Sequence, residues 1–576
     1  MKKKQSTKTE VKTPWLQFYS EVVEKLEVPN YSLYEHLRRT ALKYPEYIAY
    51  DYFGVKRQFK DLMMEIETCA KAFKSYGIGV GDVVTLCMPN TPEAVIAFYA
   101  LNRIGAISNM IHPKSAENEI KYYLNVSEST MLITIDISWD NIKNILKDTK
   151  VKQTVVVSPK DSMPTLLGIG YLLTQGRKSK IPRSSGHLCN WREFLYHGKY
   201  YAQELDANLD GDAYASILYS GGTTGSPKGI VLTNRNFNAE AIASFTAVAT
   251  LHAGDTALAI LPIFHCFGLG ICIHTVLSFG GTSILLPQFN AKTFDKLLAK
   301  HRPNVILGVP TLFEALLTND NIAKMDLSFL KCIISGGDSL SISAKKKIDA
   351  FLREHGANIQ VREGYGLTES TSAVCLTPPS IYREGSIGIP YPGSYMKIVK
   401  PNTHEELPYG EIGEMVVSGP TMMLGYLNDV NETNHALQEH EDGLVWLHTG
   451  DLGMMDEDGF VYFKQRLKRM IVSSGYNLYP QYIENVIDSH PAVLTSTVIG
   501  IEHPYKIQVA KAFIVLKKGF EPSEELKADI YEHCKKNLAK YSLPYEMEFR
   551  ESLPKTLVGK VAYMQLMEEE KEKRGV

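Results

Sequence analysis

The stretch that decides the fold is Tyr219-Ser-Gly-Gly-Thr-Thr-Gly-Ser-Pro-Lys-Gly-Ile-Val-Leu-Thr233. Apolar β-forming residues on both sides of a glycine-rich segment predict a strand, a loop and a second strand. Because glycine accepts the required dihedral angles, the loop can turn its backbone N–H groups inward around an anion. The hydroxyls and the lysine suit a phosphate, so we predict phosphate contacts from Ser220, Gly221, Gly222, Thr223, Thr224, Gly225 and Lys228. A flexible surface loop is the alternative interpretation.

This stretch is not the phosphate loop of the common nucleotide hydrolases. That loop needs Gly-Lys followed by Ser or Thr at the start of a helix. In this chain Pro227 precedes the lysine and Gly229 follows it. The sequence therefore excludes that class of nucleotide site.

Composition indicates a soluble globular protein of several domains. The chain has 576 residues, of which 44% are apolar and 22% are charged. A net charge of −2 argues against a general nucleic-acid binder, which needs a basic excess. The eight cysteines form no CxxC pair, so we expect reduced thiols and a cytoplasmic protein.

The N-terminal region is basic, but no continuous apolar segment follows its lysines. We therefore expect no signal peptide and a flexible tail over residues 1–30. No stretch of the sequence reaches the roughly 20 apolar residues that a membrane-spanning helix needs.

Strand-like and helix-like segments alternate along most of the chain, which predicts an α/β fold built from βαβ units. We expect two doubly wound sheets, one before the glycine-rich stretch and one after it. From Tyr391 the pattern changes to short strands and turns, which predicts a small β-rich subdomain. A final α+β unit begins near Arg466, so we expect a large domain over residues 31–465 and a small one over 466–576.

An apolar patch at Met163–Leu173 is followed by Arg177, Lys178, Lys180 and Arg183. An apolar segment beside a basic cluster suits a peripheral contact with an anionic membrane surface. An ordinary packed surface excursion is the alternative, and we prefer it on the sequence alone.

Further strings carry polar groups suited to a nucleotide and a metal ion. The most distinctive is Glu363-Gly-Tyr-Gly-Leu-Thr-Glu-Ser370, which we expect to form one loop. In this string the ring of Tyr365 is suited to stacking on a purine, and the hydroxyl of Thr368 is suited to a hydrogen bond with phosphate. The carboxylate of Glu369 is suited to binding Mg²⁺ through its oxygens. The other strings are Pro262-Ile-Phe-His-Cys-Phe-Gly268, Ser335-Gly-Gly-Asp-Ser-Leu340, Trp446-Leu-His-Thr-Gly-Asp-Leu452, Gln465-Arg-Leu-Lys-Arg-Met-Ile471 and Leu553-Pro-Lys-Thr-Leu-Val-Gly-Lys560.

Together, and in this order, these strings resemble those of the adenylate-forming superfamily, over about Ser32 to Lys560. Among its branches the chain looks most like the acyl-CoA synthetases. The resemblance implies a large N-terminal domain, a small mobile C-terminal domain and a hinge between them. It also implies a two-step reaction, in which ATP and a carboxylate give an acyl-adenylate and CoA then displaces AMP.

The resemblance also implies roles for single residues. Lys560 would bridge the attacking carboxylate and the phosphate, and Lys468 would be the hinge. Further catalytic groups would be His265, Thr368 and Glu369, with Glu369 also holding Mg²⁺. The nucleotide would contact the glycine-rich loop together with Gly337, Asp338, Tyr365, Gly366, Asp451 and Arg466.

Two departures from the family pattern stand out. The terminal motif continues with Val561-Ala-Tyr563 instead of two aliphatic residues and an arginine. The hinge string begins with Gln465, where glycine or aspartate is commoner. Neither removes a group assigned to the chemistry, so we expect activity to survive both.

The residue after Phe264 separates substrate classes, since amino-acid-activating members usually have aspartate there. His265 at this position argues for a carboxylic acid without an α-amino group. An apolar pocket is expected from Phe264, Phe267, Leu269, Val309 and Leu312. We therefore expect a medium- or long-chain fatty acid, with an aryl acid second. Two alternative interpretations remain. One is an enzyme that loads a carrier protein, and the other is a nucleotide-binding protein without catalytic activity.

Overall fold

The computed structural model describes residues 11–19, 26–174, 184, 186–220, 227–473, 476–538, 540–556 and 561–574. Its strands are β1 (Ile48–Tyr52), β2 (Val55–Gln58), β3 (Val83–Cys87), β4 (Ile107–Ile111), β5 (Met131–Ile135), β6 (Gln153–Val157), β7 (Leu188–Asn190), β8 (Tyr214–Ser220), β9 (Lys228–Thr233), β10 (Thr256–Ala259), β11 (Thr282–Leu285), β12 (Val305–Gly308), β13 (Cys332–Gly336), β14 (Val361–Gly366), β15 (Ala373–Leu376), β16 (Ile389–Pro390), β17 (Tyr395–Val399), β18 (Gly413–Ser418), β19 (Gly425–Tyr426), β20 (Leu437–Glu439), β21 (Val445–Met455), β22 (Val461–Arg466), β23 (Ile471–Ser473), β24 (Tyr476–Leu478), β25 (Val493–His503), β26 (Ile507–Leu516) and β27 (Glu546–Phe549).

The helices are α1 (Leu33–Lys43), α2 (Phe59–Ser75), α3 (Pro92–Arg103), α4 (Glu117–Val126), α5 (Trp139–Ile142), α6 (Thr165–Leu173), α7 (Trp191–His197), α8 (Asn234–Val248), α9 (Val276–Ser278), α10 (Phe294–His301), α11 (Pro310–Leu317), α12 (Ile342–Glu354), α13 (Val430–Ala436), α14 (Pro480–Asp488), α15 (Glu524–Asn537) and α16 (Tyr563–Arg574). A π-helix over Phe267–Thr275 leads into α9. Side-chain caps fix several starts, such as Thr91 before α3 and Ser523 before α15, each of which accepts from a backbone N–H three residues on.

Two large sheets form the body of the protein. The first sheet has the order β19-β9-β8-β4-β3-β5-β6-β7, and its strands from β8 to β7 are parallel. The second sheet has the order β16-β15-β14-β13-β12-β10-β11-β1-β2, parallel from β14 to β1. The largest apolar core joins both sheets through the helices between them. The predicted α/β fold with two large sheets is confirmed.

The prediction that one large sheet precedes the glycine-rich stretch and the other follows it is only partly right. Strands β1 and β2 precede that stretch by more than 150 residues, yet β1 pairs with β11 of the second sheet, with Tyr50 opposite Ser283. The short apolar run of β1 carries no information about its partner, because many neighbours would bury it equally well.

A third and a fourth sheet follow. The third sheet has the order β17-β18-β21-β20, with β22 paired to β21, and it forms the predicted β-rich subdomain. The fourth sheet has the order β24-β23-β26-β25, with β27 beside β26, and α14, α15 and α16 pack around it. Arg466 ends β22 and lies opposite Asp451 in the third sheet. The domain boundary at residue 466 stays a prediction.

One local expectation was wrong. Residues 363–366 do not lie in a loop, because they form the end of β14, and only Thr368–Ser370 make a tight turn.

Helix α6 turns apolar side chains to solvent. Leu166 is 84% exposed and Leu173 is 60% exposed, whereas Gly168 is the helix's buried residue. The Tyr171 hydroxyl anchors the helix by donating to Asp136 Oδ1 over 2.7 Å. The patch is thus a surface helix that is only partly packed, and the choice between an ordinary surface excursion and a membrane contact stays a prediction. The basic residues 177–183 lie outside the described residues. Among the described residues we find no helix whose length and apolarity would let it cross a bilayer.

Candidate functional site

A cavity of about 1430 Å³ opens where the large sheets meet the third and fourth sheets. Its walls include the carboxyl ends of parallel strands from both large sheets, at Ile111, Ser220 and Gly336. This edge is where α/β proteins bind ligands, because loops of varied sequence converge there. The cavity holds most of the predicted site residues that the structure describes.

The two strands that flank the glycine-rich segment reach this cavity. Strands β8 and β9 pair antiparallel with Ser220 opposite Lys228, so the two predicted strands are confirmed. The predicted contacts Gly221, Gly222, Thr223, Thr224 and Gly225 lie outside the described residues. Ser220 and Lys228 line the cavity.

Lys228 is held by two groups that the sequence analysis missed. Its Nζ lies 2.6 Å from Glu432 Oε2 and 5.0 Å from the centre of the Tyr426 ring. The Tyr426 hydroxyl donates to Glu369 Oε1 over 3.0 Å. Lys228 and Glu369, which are 141 positions apart, thus share one aromatic neighbour. No sequence signal marked Tyr426 or Glu432, because both lie in a stretch of ordinary polar composition.

Thr368 lies beside Glu369, as predicted, and is buried. Its Oγ1 donates to Cys266 Sγ over 3.5 Å, which ties the turn after β14 to the Pro262–Gly268 string. Thr368, Glu369, His265 and Cys266 all line the cavity.

Tyr365, Asp451 and Arg466 form a second polar group. The Tyr365 hydroxyl donates to Asp451 Oδ2 over 2.7 Å, and Arg466 Nε lies 3.4 Å from Asp451 Oδ1. Burial and the charge of Asp451 raise the pKa of Tyr365 well above its usual value, so the phenol keeps its proton and donates. The negative Asp451 in turn raises the pKa of Arg466. The structure thus brings together all three residues predicted to hold the nucleoside.

Close backbone approach explains the glycines of these strings. At Gly366 an added Cβ would lie 1.6 Å from the Ser372 carbonyl oxygen, and at Gly268 it would lie 2.0 Å from that of Pro262. Gly337 has a φ of 79°, which favours glycine. Gly337 and Asp338 line the cavity, and Asp338 Oδ1 accepts from the Ser339 N–H over 2.9 Å.

His265 is oriented by the backbone that follows it. Its Nδ1 accepts the N–H of Phe267 over 3.2 Å. Phe264 and Phe267 line the cavity beside it, as predicted.

For the other residues of the predicted apolar pocket, the prediction was wrong. Leu269 and Leu312 are buried in the protein core, and neither they nor Val309 are among the cavity-lining residues. The apolar wall comes instead from α8, the π-helix, α9 and strand ends. Its members are Phe245, Val248, Ile271, Val276, Phe279, Val305, Leu307 and Ile334. A sequence does not say which face of a buried helix meets a cavity, and π-helical turns carry no sequence pattern of their own.

The C-terminal unit reaches the same cavity. Val561 and Tyr563 line it, and Lys555 pairs with Val561 in an isolated bridge. The predicted catalytic Lys560 lies outside the described residues. Lys468 lies in the tight turn Leu467–Arg469. The structure describes only the backbone of Lys468.

Gln465 is a further residue at this wall. It is 2% exposed, and neither atom of its amide has a hydrogen-bond partner among the described residues. Two buried polar atoms without partners are costly in a folded protein, so a water or a ligand in the cavity is the expected partner of this amide.

This fold, and a cavity that gathers a lysine, two acidic groups and an aromatic ring from these strings, define an adenylate-forming enzyme. The chain belongs to the AMP-binding enzyme family: the model described as AMP-binding enzyme matches residues 37–427, and the model described as AMP-binding enzyme C-terminal domain matches residues 482–560. The resemblance drawn from the sequence is confirmed.

Relatives and solved structures agree with this assignment. A long-chain-fatty-acid–CoA ligase of Bacillus subtilis (strain 168) is 34% identical over 97% of this chain and 98% of its own length. The crystal structure of ATP-bound MatB from Rhodopseudomonas palustris is 26% identical with a TM-score of 0.81, covering 94% of this chain and 99% of that one. The anthranilate CoA ligase AuaEII with anthranoyl-AMP shares the fold at 24% identity and a TM-score of 0.82, covering 96% and 99%.

Proposed function

We propose that this protein is an ATP-dependent acid–CoA ligase that acts through an acyl-adenylate on a medium- or long-chain fatty acid. The observation that carries the substrate is the apolar wall of the cavity, which continues from the His265 region along α8 to the stacked pair Phe245 and Phe279. Burying methylene groups is worth about 0.8 kcal/mol each, so such a wall favours an extended acyl chain. The relative from Bacillus subtilis is named for long-chain fatty acids, in agreement with this choice.

In the first step the substrate carboxylate attacks the α-phosphorus of ATP, and pyrophosphate leaves. Both reactants are negatively charged, so cations and hydrogen-bond donors must surround them. In our proposal Lys228 and the glycine-rich loop hold the β- and γ-phosphates, Thr368 donates to the α-phosphate, and Lys560 bridges carboxylate and phosphate. The MatB structure described as ATP-bound supports a nucleotide in this fold.

The nucleoside would lie against Tyr365, with its ribose hydroxyls on Asp451. Asp451 is 1% exposed and is held from both sides by Tyr365 and Arg466, so it is fixed before the nucleotide arrives. A preorganised acceptor loses little rotamer freedom on binding.

Mg²⁺ fits the donor set at this cavity. Glu369 offers the hard carboxylate oxygen that Mg²⁺ prefers, and Tyr426 orients it. The ion would offset phosphate charge when bound. Glu369 would hold it, while Lys228 remains a separate cation for the phosphate chain.

In the second step the thiol of CoA attacks the acyl-adenylate and AMP leaves. Lys468 would be the hinge about which the C-terminal unit turns, so that one cavity serves both steps. An enzyme that loads a carrier protein would form the same adenylate but transfer the acyl group to a different thiol. The following experiment distinguishes such an enzyme from a CoA ligase.

The test measures pyrophosphate release with ATP and Mg²⁺ across fatty, aryl and amino acids, with and without CoA. We expect release that peaks on a fatty acid, together with a CoA thioester in equal amount. A maximum on an aryl acid would overturn the substrate, and adenylate without thioester would favour a carrier-loading enzyme. No release with any acid would overturn the enzymatic function.

A lipid surface is the further partner that we propose. Helix α6 offers Leu166, Leu167, Ile169, Leu172 and Leu173 to solvent, and the sequence places four cations directly after it. Apolar side chains beside positive charge suit an anionic bilayer. Sedimentation with vesicles of anionic phospholipid should fall strongly in the double variant Leu166→Ser/Ile169→Ser, with wild-type turnover on a water-soluble acid as the control. Equal sedimentation of both proteins would exclude α6 as the contact.

A further inference from the structure

Three histidines gather on the third sheet, and none of them is assigned to adenylation, although His448 lines the same cavity. His404 lies in the turn between β17 and β18, while His440 and His448 come from the β20–β21 hairpin and its turn. One ring nitrogen from each of them lies within 4.8 Å of the others. His440 is buried, His448 is nearly so, and His404 is exposed.

Two of these rings are already set at the separation of neighbouring metal ligands. His440 Nε2 lies 3.0 Å from His448 Nε2. For metal–nitrogen bonds of about 2.05 Å, two ligands lie ~2.9 Å apart at a right angle and ~3.3 Å apart in a tetrahedron. The observed separation falls between these two values.

A carboxylate orients one of the rings. Glu414 Oε2 lies 3.1 Å from His448 Nδ1, and Glu414 Oε1 accepts the N–H of Gly450 over 3.0 Å. With Nδ1–H donating to this carboxylate, Nε2 of His448 carries a lone pair and accepts the N–H of His440 Nε2. A metal ion would replace that proton, and a carboxylate behind the ring is the arrangement found at metal-bound histidines.

The environment of His440 leaves Nε2 as its ligand atom. Its side chain is 5% exposed, and its Nδ1, the ring nitrogen that does not face His448, has no hydrogen-bond partner in the part of the chain that the structure describes. Burial holds the ring in place, so Nε2 stays directed at His448.

We propose that His404, His440 and His448 bind one transition-metal dication, Zn²⁺ first among them, with Glu414 orienting His448. Imidazole ligands favour this class of ion over Mg²⁺, so the site is distinct from the one at Glu369. His404 supplies the adjustable ligand. Its ring now stacks on His440 at 4.0 Å and bonds Gln438 Oε1 over 2.8 Å, so it must turn to aim a lone pair at the ion. Its exposure makes that turn inexpensive.

One thiol can compete for the ion in the folded protein. All eight cysteines lie within the described residues and all are buried, but Cys266 lines the cavity beside His265. Zn²⁺ bound there is unchanged in His404→Gln, so only the difference between this variant and the wild type reports on the histidine site. Histidines elsewhere on the surface are a source of background binding, and His187, which is exposed in the turn before β7, supplies the matched control.

The experiment titrates untagged, chelator-treated full-length protein with Zn²⁺ against a chromophoric indicator. We expect one equivalent bound by the wild type and by His187→Gln, and at least a tenfold loss of affinity in His404→Gln. Since His404 is exposed, this variant should keep the melting temperature of the metal-free protein. Gln438→Ala frees the His404 ring and should bind Zn²⁺ as well as the wild type does.

Co²⁺ supplies a readout of coordination. Bound to three imidazoles it should give a visible d–d absorption in the wild type that His404→Gln and His448→Gln both lose. Equal Zn²⁺ affinity in His404→Gln and His187→Gln would overturn the site, and so would the absence of a Co²⁺ band in the wild type. A loss in His448→Gln alone would overturn the assignment of His404 as a ligand.

Discussion

The hydroxyl of Tyr365 donates to Asp451 Oδ2 over 2.7 Å, although 86 positions separate the two residues. The bond joins the end of β14 in the second sheet to β21 in the third. It places an aromatic face and a carboxylate on one wall of the cavity, which are the two groups that a nucleoside requires.

Removing this hydroxyl should weaken the nucleotide site without destroying it. Tyr365→Phe keeps the ring but leaves buried Asp451 with one donor fewer, at a cost of about 1–3 kcal/mol. We expect a higher KM for ATP and a lower melting temperature. Tyr462→Phe is the matched control, since Tyr462 donates to Asp456 over 3.1 Å and lies away from the cavity. Equal changes in the KM for ATP in both variants would contradict the role of Asp451.

Lys228 should bind phosphate better when Glu432 no longer competes for it. The pair is separated by 2.6 Å, yet its side chains are 32% and 43% exposed. Ion pairs so exposed are worth about 0–1 kcal/mol, so Glu432→Gln should lower the ATP KM by at most about fivefold. Lys228→Ala should instead reduce kcat/KM by about a hundredfold or more, the usual loss when a group that stabilises the transition state is removed. Glu439→Gln, exposed on β20, is the control.

Gln465 departs from the family pattern, and the two polar atoms of its amide, at the cavity wall, have no partner among the residues that the structure describes. Gln465→Met keeps its length and removes both polar atoms, so the unliganded protein should become more stable by about 1 kcal/mol or more. If the amide contacts the nucleotide or the adenylate, the ATP KM should rise in the same variant. Melting curves with and without ATP separate the two effects. A stabilised variant with an unchanged KM would show that the amide meets only water.

The sequence predicted the order of elements well, because apolar runs such as Met131–Ile135 and Cys332–Gly336 are almost uninterrupted. It also predicted that Asp451, Tyr365 and Arg466 serve one ligand. It failed where the outcome depends on long-range packing. The pairing of β1 with β11, the Tyr426 contact with Glu369 and the cavity wall along α8 are set by neighbours that are distant in sequence.

A buried acid should make stability depend on pH. Glu240 is fully buried on α8, and burial raises its pKa to about 8, although Ser244 and the Ala373 N–H both donate to it. In the unfolded chain a glutamate has a pKa of about 4.3. The folded state therefore holds a proton that the unfolded state has lost, and the free energy of unfolding falls as the pH rises from about 4 to 8.

Glu240→Gln removes this dependence. Between pH 6 and 8 the free energy of unfolding of the wild type should fall by about 2–3 kcal/mol, at 1.4 kcal/mol per pH unit. The free energy of unfolding of Glu240→Gln should not show this decrease. The melting temperature of Glu240→Gln, relative to the wild type, should thus increase with pH. Glu568→Gln, exposed on α16, should give no such trend. A constant difference between Glu240→Gln and wild type at every pH would contradict a protonated Glu240.

The apolar wall along α8 should set the length of the acyl chain. Val248 ends α8, is buried and lines the cavity near the stacked Phe245 and Phe279. Val248→Trp fills part of the space there, and losing room for four methylenes costs about 3 kcal/mol, or roughly a hundredfold in kcat/KM. Hexadecanoic acid should suffer this loss, whereas octanoic acid, whose chain ends before the obstruction, should keep its turnover. Val248→Ala leaves the space open and should retain both activities. An equal decrease for both acids in Val248→Trp would mean a general disturbance of α8, and no decrease for either would place the acyl chain elsewhere in the cavity.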